Sequence, residues 1–227
     1  KKPKVLHEIL NKSMVDYVID TAKGCGAEDV CVVVGHKAEM VKEGIKSEGV
    51  SFALQAEQKG TGHAVMMATD FIKAHTGGNV LVLCGDAPLM DAKTLSDSLK
   101  FHTDEDNAVT VITAKLDDPA SYGRIVKENG KLKEIVEFKD ADEQTRAITE
   151  INSGAYWFKA DTLLSILPRL ENNNAQNEYY LTDTIKIAIT DGENVNSFVA
   201  ERPEVVMGAN DKAQLQVLNE TAKRLGL

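Results

Sequence analysis

The stretch Val80-Leu81-Val82-Leu83-Cys84-Gly85-Asp86-Ala87-Pro88-Leu89 decides how this chain is read. A short apolar run ends in a glycine and a carboxylate, the pattern of a strand that delivers one acid to the edge of an open α/β sheet, where ligands bind. Gly85 lets a ligand approach the backbone, and Asp86 just beyond it is placed to hold a magnesium ion on a nucleotide's phosphates. The same residues also fit a helix start. Asp86 stands two residues before Pro88, and an aspartate ahead of a first-turn proline can cap free helix amides. On these residues alone both readings stay open.

Composition sets the frame around that stretch. A chain of 227 residues, 43% of them hydrophobic, can bury a substantial core and suits one large α/β domain. Its net charge is −9, and lysine and arginine form no basic stripe, so no nucleic-acid partner is expected. Cys25, Cys31 and Cys84 are odd in number and lack a C-x-x-C spacing, which points to reduced thiols rather than disulfides or a zinc site. No apolar run approaches the roughly 20 residues of a membrane helix, and no apolar segment follows the lysine-rich start. The expectation is a cytoplasmic protein without a membrane partner.

Helical and extended patterns alternate along the first half. Met14, Val15, Val18, Ile19 and Ala22 recur at helical spacing, and Gly24 and Gly26 stop that helix. Strands are predicted at 30–34, 51–54, 80–84 and 108–114, with helices at 37–45, 62–75 and 94–101 between them. This is the alternation of a Rossmann-like doubly wound sheet with helices on both faces. Near Asp117 the pattern changes: 124–127 and 132–137 flank Asn129-Gly130, a hairpin turn signal, so an antiparallel element enters and the sheet becomes mixed. A further strand is predicted at 151–158, helices at 161–167 and 180–190, and a last helix after Asn210. No repeat or low-complexity linker divides the chain, so 1–227 reads as a single domain carrying a hairpin lobe at 117–160.

Polar residues at strand ends and glycine turns are the candidates for chemistry. Gln55 follows a strand, and its amide can both donate and accept, as the imide edge of a pyrimidine requires. Gly60-Thr61-Gly62 precedes a helix whose first amides favour phosphate or ribose oxygens, although such a turn also serves as plain helix entry. His63 reads as a first-turn surface residue without a catalytic partner. Glu137 and Asn152 close apolar strands and could bond sugar hydroxyls, or could be satisfied strand-end residues. Asn210 fits an N-cap of the final helix as well as a metal ligand, and Lys4 fits a phosphate contact as well as a solvated lysine.

Taken together, these residues resemble a known family over nearly the whole chain. Pro3-Lys4-Val5-Leu6, Leu54-Gln55-Ala56-Glu57-Gln58 with Gly60-Thr61-Gly62-His63-Ala64, Gly85-Asp86, Tyr122-Gly123-Arg124-Ile125, Ile135-Val136-Glu137, Glu150-Ile151-Asn152-Ser153-Gly154 and Asn172-Asn173-Asn174-Ala175-Gln176 occur in family order. The likeness is to the uridylyltransferase domain of bacterial bifunctional N-acetylglucosamine-1-phosphate uridylyltransferase/glucosamine-1-phosphate acetyltransferase. It implies the nucleotide-diphospho-sugar transferase type of mixed sheet, with the hairpin lobe binding sugar. The implied reaction transfers UMP from UTP to N-acetylglucosamine 1-phosphate, giving UDP-N-acetylglucosamine and pyrophosphate for peptidoglycan and lipopolysaccharide synthesis.

Carried over by position, the resemblance implies that Asp86 and Asn210 hold Mg2+ and that Lys4 contacts phosphate, with Lys4 and Asp86 catalytic. Gln55, Gly60, Thr61 and Gly85 would surround the nucleotide, and Gly123, Glu137, Asn152, Tyr180 and Thr182 would line the sugar pocket. The motifs begin after the place of the family's first strand and its glycine-rich loop, Leu-x-x-Gly-x-Gly-Thr-Arg-Met, so a chain lacking both is expected. The family's β-helix half is also unmatched, so neither acetyl transfer nor a tight trimer is expected. Cys84 stands where the family commonly carries tyrosine. Alternatives from the same residues are a sister enzyme using another base or sugar, and a non-catalytic module that binds UDP-sugars.

Overall fold

The computed structural model describes residues 2–227. Its chain opens with a short hairpin, β1 (Glu8–Ile9) and β2 (Lys12–Ser13), and passes directly into α1 (Met14–Gly24). Ser13 caps that helix by accepting from the Asp16 amide, and Asp16 is itself buried. Its carboxylate accepts the Lys46 and Ser47 amides at 2.9 Å each, so a charge removed from water ends up pinning a neighbouring loop. Those hydrogen bonds outweigh burial and hold the Asp16 carboxyl below its ordinary range. Next come β3 (Val30–Val34), α2 (Ala38–Gly44) and β4 (Val50–Leu54), and β3 and β4 pair in parallel as a separate two-stranded sheet.

The helix expected over 62–75 is two pieces, α3 (Thr61–Met67) and α4 (Thr69–Lys73), broken at Ala68. The principal sheet follows: β5 (Asn79–Val82), α5 (Ala92–Asp104), β6 (Val109–Lys115), then the hairpin β7 (Arg124–Glu128) and β8 (Lys131–Val136). Asn129 and Gly130 both take positive φ at its turn, +52° and +78°, as the Asn-Gly pair demands. Beyond α6 (Glu143–Arg146), the ten-residue β9 (Glu150–Lys159) leads into α7 (Ala160–Ile166), α8 (Asp183–Thr190), β10 (Val195–Val199) and α9 (Lys212–Leu225).

Strand β9 organises everything. One edge pairs with β6 along its length, and β6 in turn pairs in parallel with β10. The other edge is shared, with β5 antiparallel to residues 156–159 and β7 meeting it at Ile151. The sheet is mixed, as the hairpin signal implied, but β5 has an antiparallel partner and β10 was not foreseen. Alternation along β9 feeds both faces. Tyr156 and Phe158 join Leu163, Ile166 and Ile185 from α7 and α8, while Ala155 and Trp157 join Leu95 of α5 and Val205. Among the described residues no helix is long and apolar enough to cross a membrane.

Two cap assignments follow from the geometry. Asp86 caps no helix; Asp91 caps α5, accepting from the Thr94 amide at 2.9 Å. Asn210 likewise leaves the capping of α9 to Asp211, which accepts from the Gln214 amide at 2.8 Å. Both residues are therefore available for other work.

His102 of α5 is buried beside Trp157, and its Nε2 has no hydrogen-bond partner. Burial, with the Lys159 charge, pushes its pKa down to about 4 from 6.5. Above pH 6.5 the imidazole is neutral in both states, but as acid is added the unfolded chain takes a proton that the folded chain refuses until about pH 4. Stability should therefore fall through that window, by about 2 kcal/mol at pH 5. Thermal melts of the parent and His102→Gln between pH 7.5 and 5 test this: the variant should lose less on acidification, and parallel curves would refute the assignment.

Candidate active site

The candidate site lies where β5 and β7 diverge along one edge of β9, leaving residues 152–155 without a strand partner on that edge. Ser153 and Gly154 bulge from the ladder there, since Ile112 pairs with Ala155 and Thr113 with Asn152. The Ser153 hydroxyl donates to Ile112 O at 2.6 Å, and Gly154 turns with φ +78°. A Cβ on Gly154 would lie 2.6 Å from Cys84 Sγ, so glycine is what lets the end of β5 pack against the bulge. Cys84 is thus held against the bulge. Burial pushes its thiol up to about 12, with the charges of Asp86 and Glu137 adding and that of Lys4 opposing.

Two residues beyond Cys84, Asp86 joins a cluster drawn from three distant segments. Lys4, in a 3-10 turn after Pro3, places Nζ 2.5 Å from Asp86 Oδ2 and 2.7 Å from Asn210 Oδ1. Asn210 reaches Asp86 because the backbone before it runs flush against the chain at β5's end. A Cβ on Gly208 would lie 2.5 Å from Asp86 O. That segment is fixed further upstream, where the Tyr122 hydroxyl donates to Val206 O at 2.9 Å and the Arg202 guanidinium pairs with Asp91 at 2.7 Å.

Several of the residues expected to read a sugar gather around Gly123. Asn152 donates its backbone N–H to Gly123 O at 2.9 Å and its side-chain N–H to the buried Tyr156 hydroxyl at 2.7 Å. Gly123 is shielded by Asn152 and Glu137, each 3.6 Å from where its Cβ would be. Glu137 Oε1 accepts from the Thr182 hydroxyl at 3.2 Å. Burial raises its pKa, and the neighbouring acids Asp140, Asp183 and Glu178 raise it further. Tyr180 backs this wall, donating its hydroxyl to Asp140 at 3.0 Å and accepting from Gln176 at 3.0 Å. The loop carrying Gly123 is gathered by Arg124, whose buried guanidinium donates to the carbonyls of Pro119, Ala120, Tyr122 and Arg146.

The third group surrounds Gln55, buried at the end of β4. Its Nε2 donates to Gly60 O at 3.1 Å and meets His63 Nδ1 at 3.0 Å, which leaves Oε1 to accept. His63 is half-buried and stacks on Tyr179, so it orients Gln55 rather than lying on the surface. Gly60 takes φ +104° and passes so close to Tyr179 O that any Cβ would clash. The Gly62 amide and the Thr61 hydroxyl are both spent on the segment 179–181, by Gly62 N→Tyr179 O at 2.7 Å and Leu181 N→Thr61 Oγ1 at 3.0 Å. That turn therefore joins the Gln55 group to the Tyr180–Thr182 wall, and the phosphate cradle read from its amides loses the Gly62 donor. A Cβ on Gly85 would meet Val5 and Val15, at 3.6 and 3.8 Å.

Sequence reasoning missed His63, Gly208 and Gly154 as parts of this arrangement. His63 lies eight residues from Gln55 along the chain, a separation that no helical or strand period signals. The glycines betray nothing locally, because each is required by a segment remote in sequence.

With this geometry in hand, comparison with known proteins gives the class. Residues 1–203 match the nucleotidyl transferase family, and the chain belongs to it. It is 46% identical over 216 residues to the bifunctional protein GlmU of Acetivibrio thermocellus, covering 95% of this chain and 46% of that protein. It is 47% identical over 224 residues to GlmU of Fervidobacterium nodosum, covering 99% and 47%. The chain thus spans about half the length of the curated relatives it matches. Among solved structures, a Bacillus anthracis protein described as a glucose-1-phosphate thymidylyltransferase superposes with TM-score 0.75 at 19% identity, over 97% of this chain and 86% of that one. An apo UDP-glucose pyrophosphorylase gives 0.71 at 17%, over 99% and 92%. At such identities these two share the fold.

Gly208→Ala should force the 207–210 segment away from Asp86, at a stability cost of about 1–3 kcal/mol. A melting temperature within error of the parent's would show that the close approach is not required.

Proposed function

We propose that this chain transfers a uridylyl group from UTP to N-acetylglucosamine 1-phosphate, releasing pyrophosphate and UDP-N-acetylglucosamine. The observation that carries the reading is the placement of Cys84. Two residues on, Asp86 shares the Lys4 ammonium with Asn210, while Cys84 itself packs on Gly154, whose amide donates to Asn152 Oδ1 at 2.9 Å, and Asn152 lies beside Glu137 at Gly123, so the candidate polyphosphate group adjoins the candidate sugar group. The family membership and the likeness to GlmU proteins support it.

Asp86 and Asn210 would hold Mg2+. The donor set fits, because both offer hard oxygens and the two already converge on one cationic centre, the Lys4 ammonium. Among the described residues no group of three His, Cys, Asp or Glu side chains gathers for a metal, so the remaining ligands would be phosphate oxygens and water. When bound, such an ion neutralises phosphate charge. Lys4 adds a point charge that binds phosphate oxygens. In line, an oxygen of the sugar phosphate bonds to the α-phosphorus as its bond to the bridging oxygen of pyrophosphate breaks, and positioning with electrostatics suffices without a protein nucleophile.

Gln55 narrows the base. With its N–H groups committed to Gly60 and His63, Oε1 accepts the imide N3–H of uracil, which cytosine lacks. Glu137 and Asn152 would bond sugar hydroxyls and the acetamido group, making 117–160 the sugar-binding lobe of one domain. A cytoplasmic setting, where UTP is at hand and Cys25, Cys31 and Cys84 stay reduced, accords with this reading.

A coupled pyrophosphate-release assay over UTP, dTTP and CTP, each paired with N-acetylglucosamine 1-phosphate, glucosamine 1-phosphate and glucose 1-phosphate, tests the proposal. The UTP and N-acetylglucosamine 1-phosphate pair should dominate and CTP should fail. Dominance of another pair would assign a sister activity, and binding of UDP-sugar without any turnover would mark a non-catalytic module.

Calorimetry on Glu137→Ala separates the two halves of the pocket. UDP-N-acetylglucosamine binding should weaken by about 1–3 kcal/mol while UTP binding holds. Equal losses for both ligands would remove Glu137 from the sugar side.

A further inference from the structure

The Lys4 ammonium occupies the point on which Asp86 Oδ2 and Asn210 Oδ1 converge, at 2.5 and 2.7 Å. A magnesium ion held by the same two oxygens would sit about 2.1 Å from each, leaving no room for the ammonium between them. Like charges so close repel, and the two cations therefore exclude each other at this pair of oxygens. The lysine is built to move. Its backbone is held in the 3-10 turn Lys4–Leu6, anchored by buried Leu6, while its side chain is more than a third exposed and rotates about a flexible four-carbon stem.

We propose that Lys4 has two stations, and that resting on the Asp86–Asn210 oxygens it bars a free divalent cation until a triphosphate draws its ammonium onto phosphate oxygens. The inference rests on the metal assignment made above. It follows that cation and triphosphate bind with positive coupling: the triphosphate strips the lysine from the oxygen pair, and a cation on that pair releases the lysine for the phosphates. The acids near Glu137 favour such an arrangement, since a pocket already rich in carboxylates would otherwise attract stray cations ahead of substrate.

The test is a Mn2+ titration, followed by the electron paramagnetic resonance signal of the free ion, on the parent, Lys4→Met, Lys4→Gln, Asp86→Asn and the Lys4→Met/Asp86→Asn double variant, each with and without UTP. Methionine and glutamine remove the charge at a half-exposed position where the fold asks little of the side chain. Both Lys4 variants should bind Mn2+ alone about two- to fivefold more tightly than the parent, the worth of one exposed ion pair, and UTP should then improve Mn2+ affinity less than it does in the parent. Unchanged or weaker Mn2+ binding in both Lys4 variants would overturn the two-station proposal. If Asp86→Asn leaves Mn2+ binding intact in the parent and in the Lys4→Met background, the metal assignment itself fails. Loss of binding with Asp86→Asn but no tightening with Lys4→Met keeps the metal site and discards only the competition.

Discussion

Ser153 and Gly154 leave the ladder between β9 and β6 because the serine hydroxyl takes over bonding to Ile112 O and glycine supplies a left-handed turn. Every flank of the pocket refers back to this displacement. It turns Asn152 toward Gly123, brings Gly154 against Cys84, and ends the stretch on which β5 can pair. A regular β9 would continue its hydrogen bonds where the pocket now opens, and β5 and β7 would have no reason to part. A bulge beside a site re-aims side chains without unravelling the sheet, since β6 and β9 still pair on both sides of it.

Much of this was legible in the residues, in proportion to how local the governing physics is. The helix at Met14–Gly24, the strand Val30–Val34 and the Asn129-Gly130 hairpin all rest on periodicity or turn chemistry within a few residues, and the structure has them where the pattern put them. The break at Ala68 and strand β10 were invisible, because β10 exists by virtue of pairing with β6, about 86 residues earlier in the chain. Asp86 and Asn210 were ambiguous between cap and ligand for the same reason. The neighbouring Asp91 and Asp211, which take the capping bonds, remove the cap reading.

The charge distribution is the less obvious part of the design. The chain's net charge is −9, and Lys4 holds two of the site's oxygens, while ion pairs such as Lys12–Asp20, Lys93–Asp97 and Lys100–Asp104 lie on the exposed surface, where each is worth little. Arg124 shows the complementary economy. Its guanidinium faces carbonyl dipoles instead of a carboxylate, so it organises the loop around Gly123 without spending an acid that the sugar wall keeps for itself.

The bond between Lys4 and Asn210 closes a loop of 206 residues, and that between Lys4 and Asp86 one of 82. Closing loops of such length carries a conformational cost that local helices and the β7–β8 hairpin never meet, so contacts of this kind consolidate late in folding. The Lys4–Asp86–Asn210 cluster therefore reports on completed long-range packing, whereas the β7–β8 hairpin can form on local terms alone.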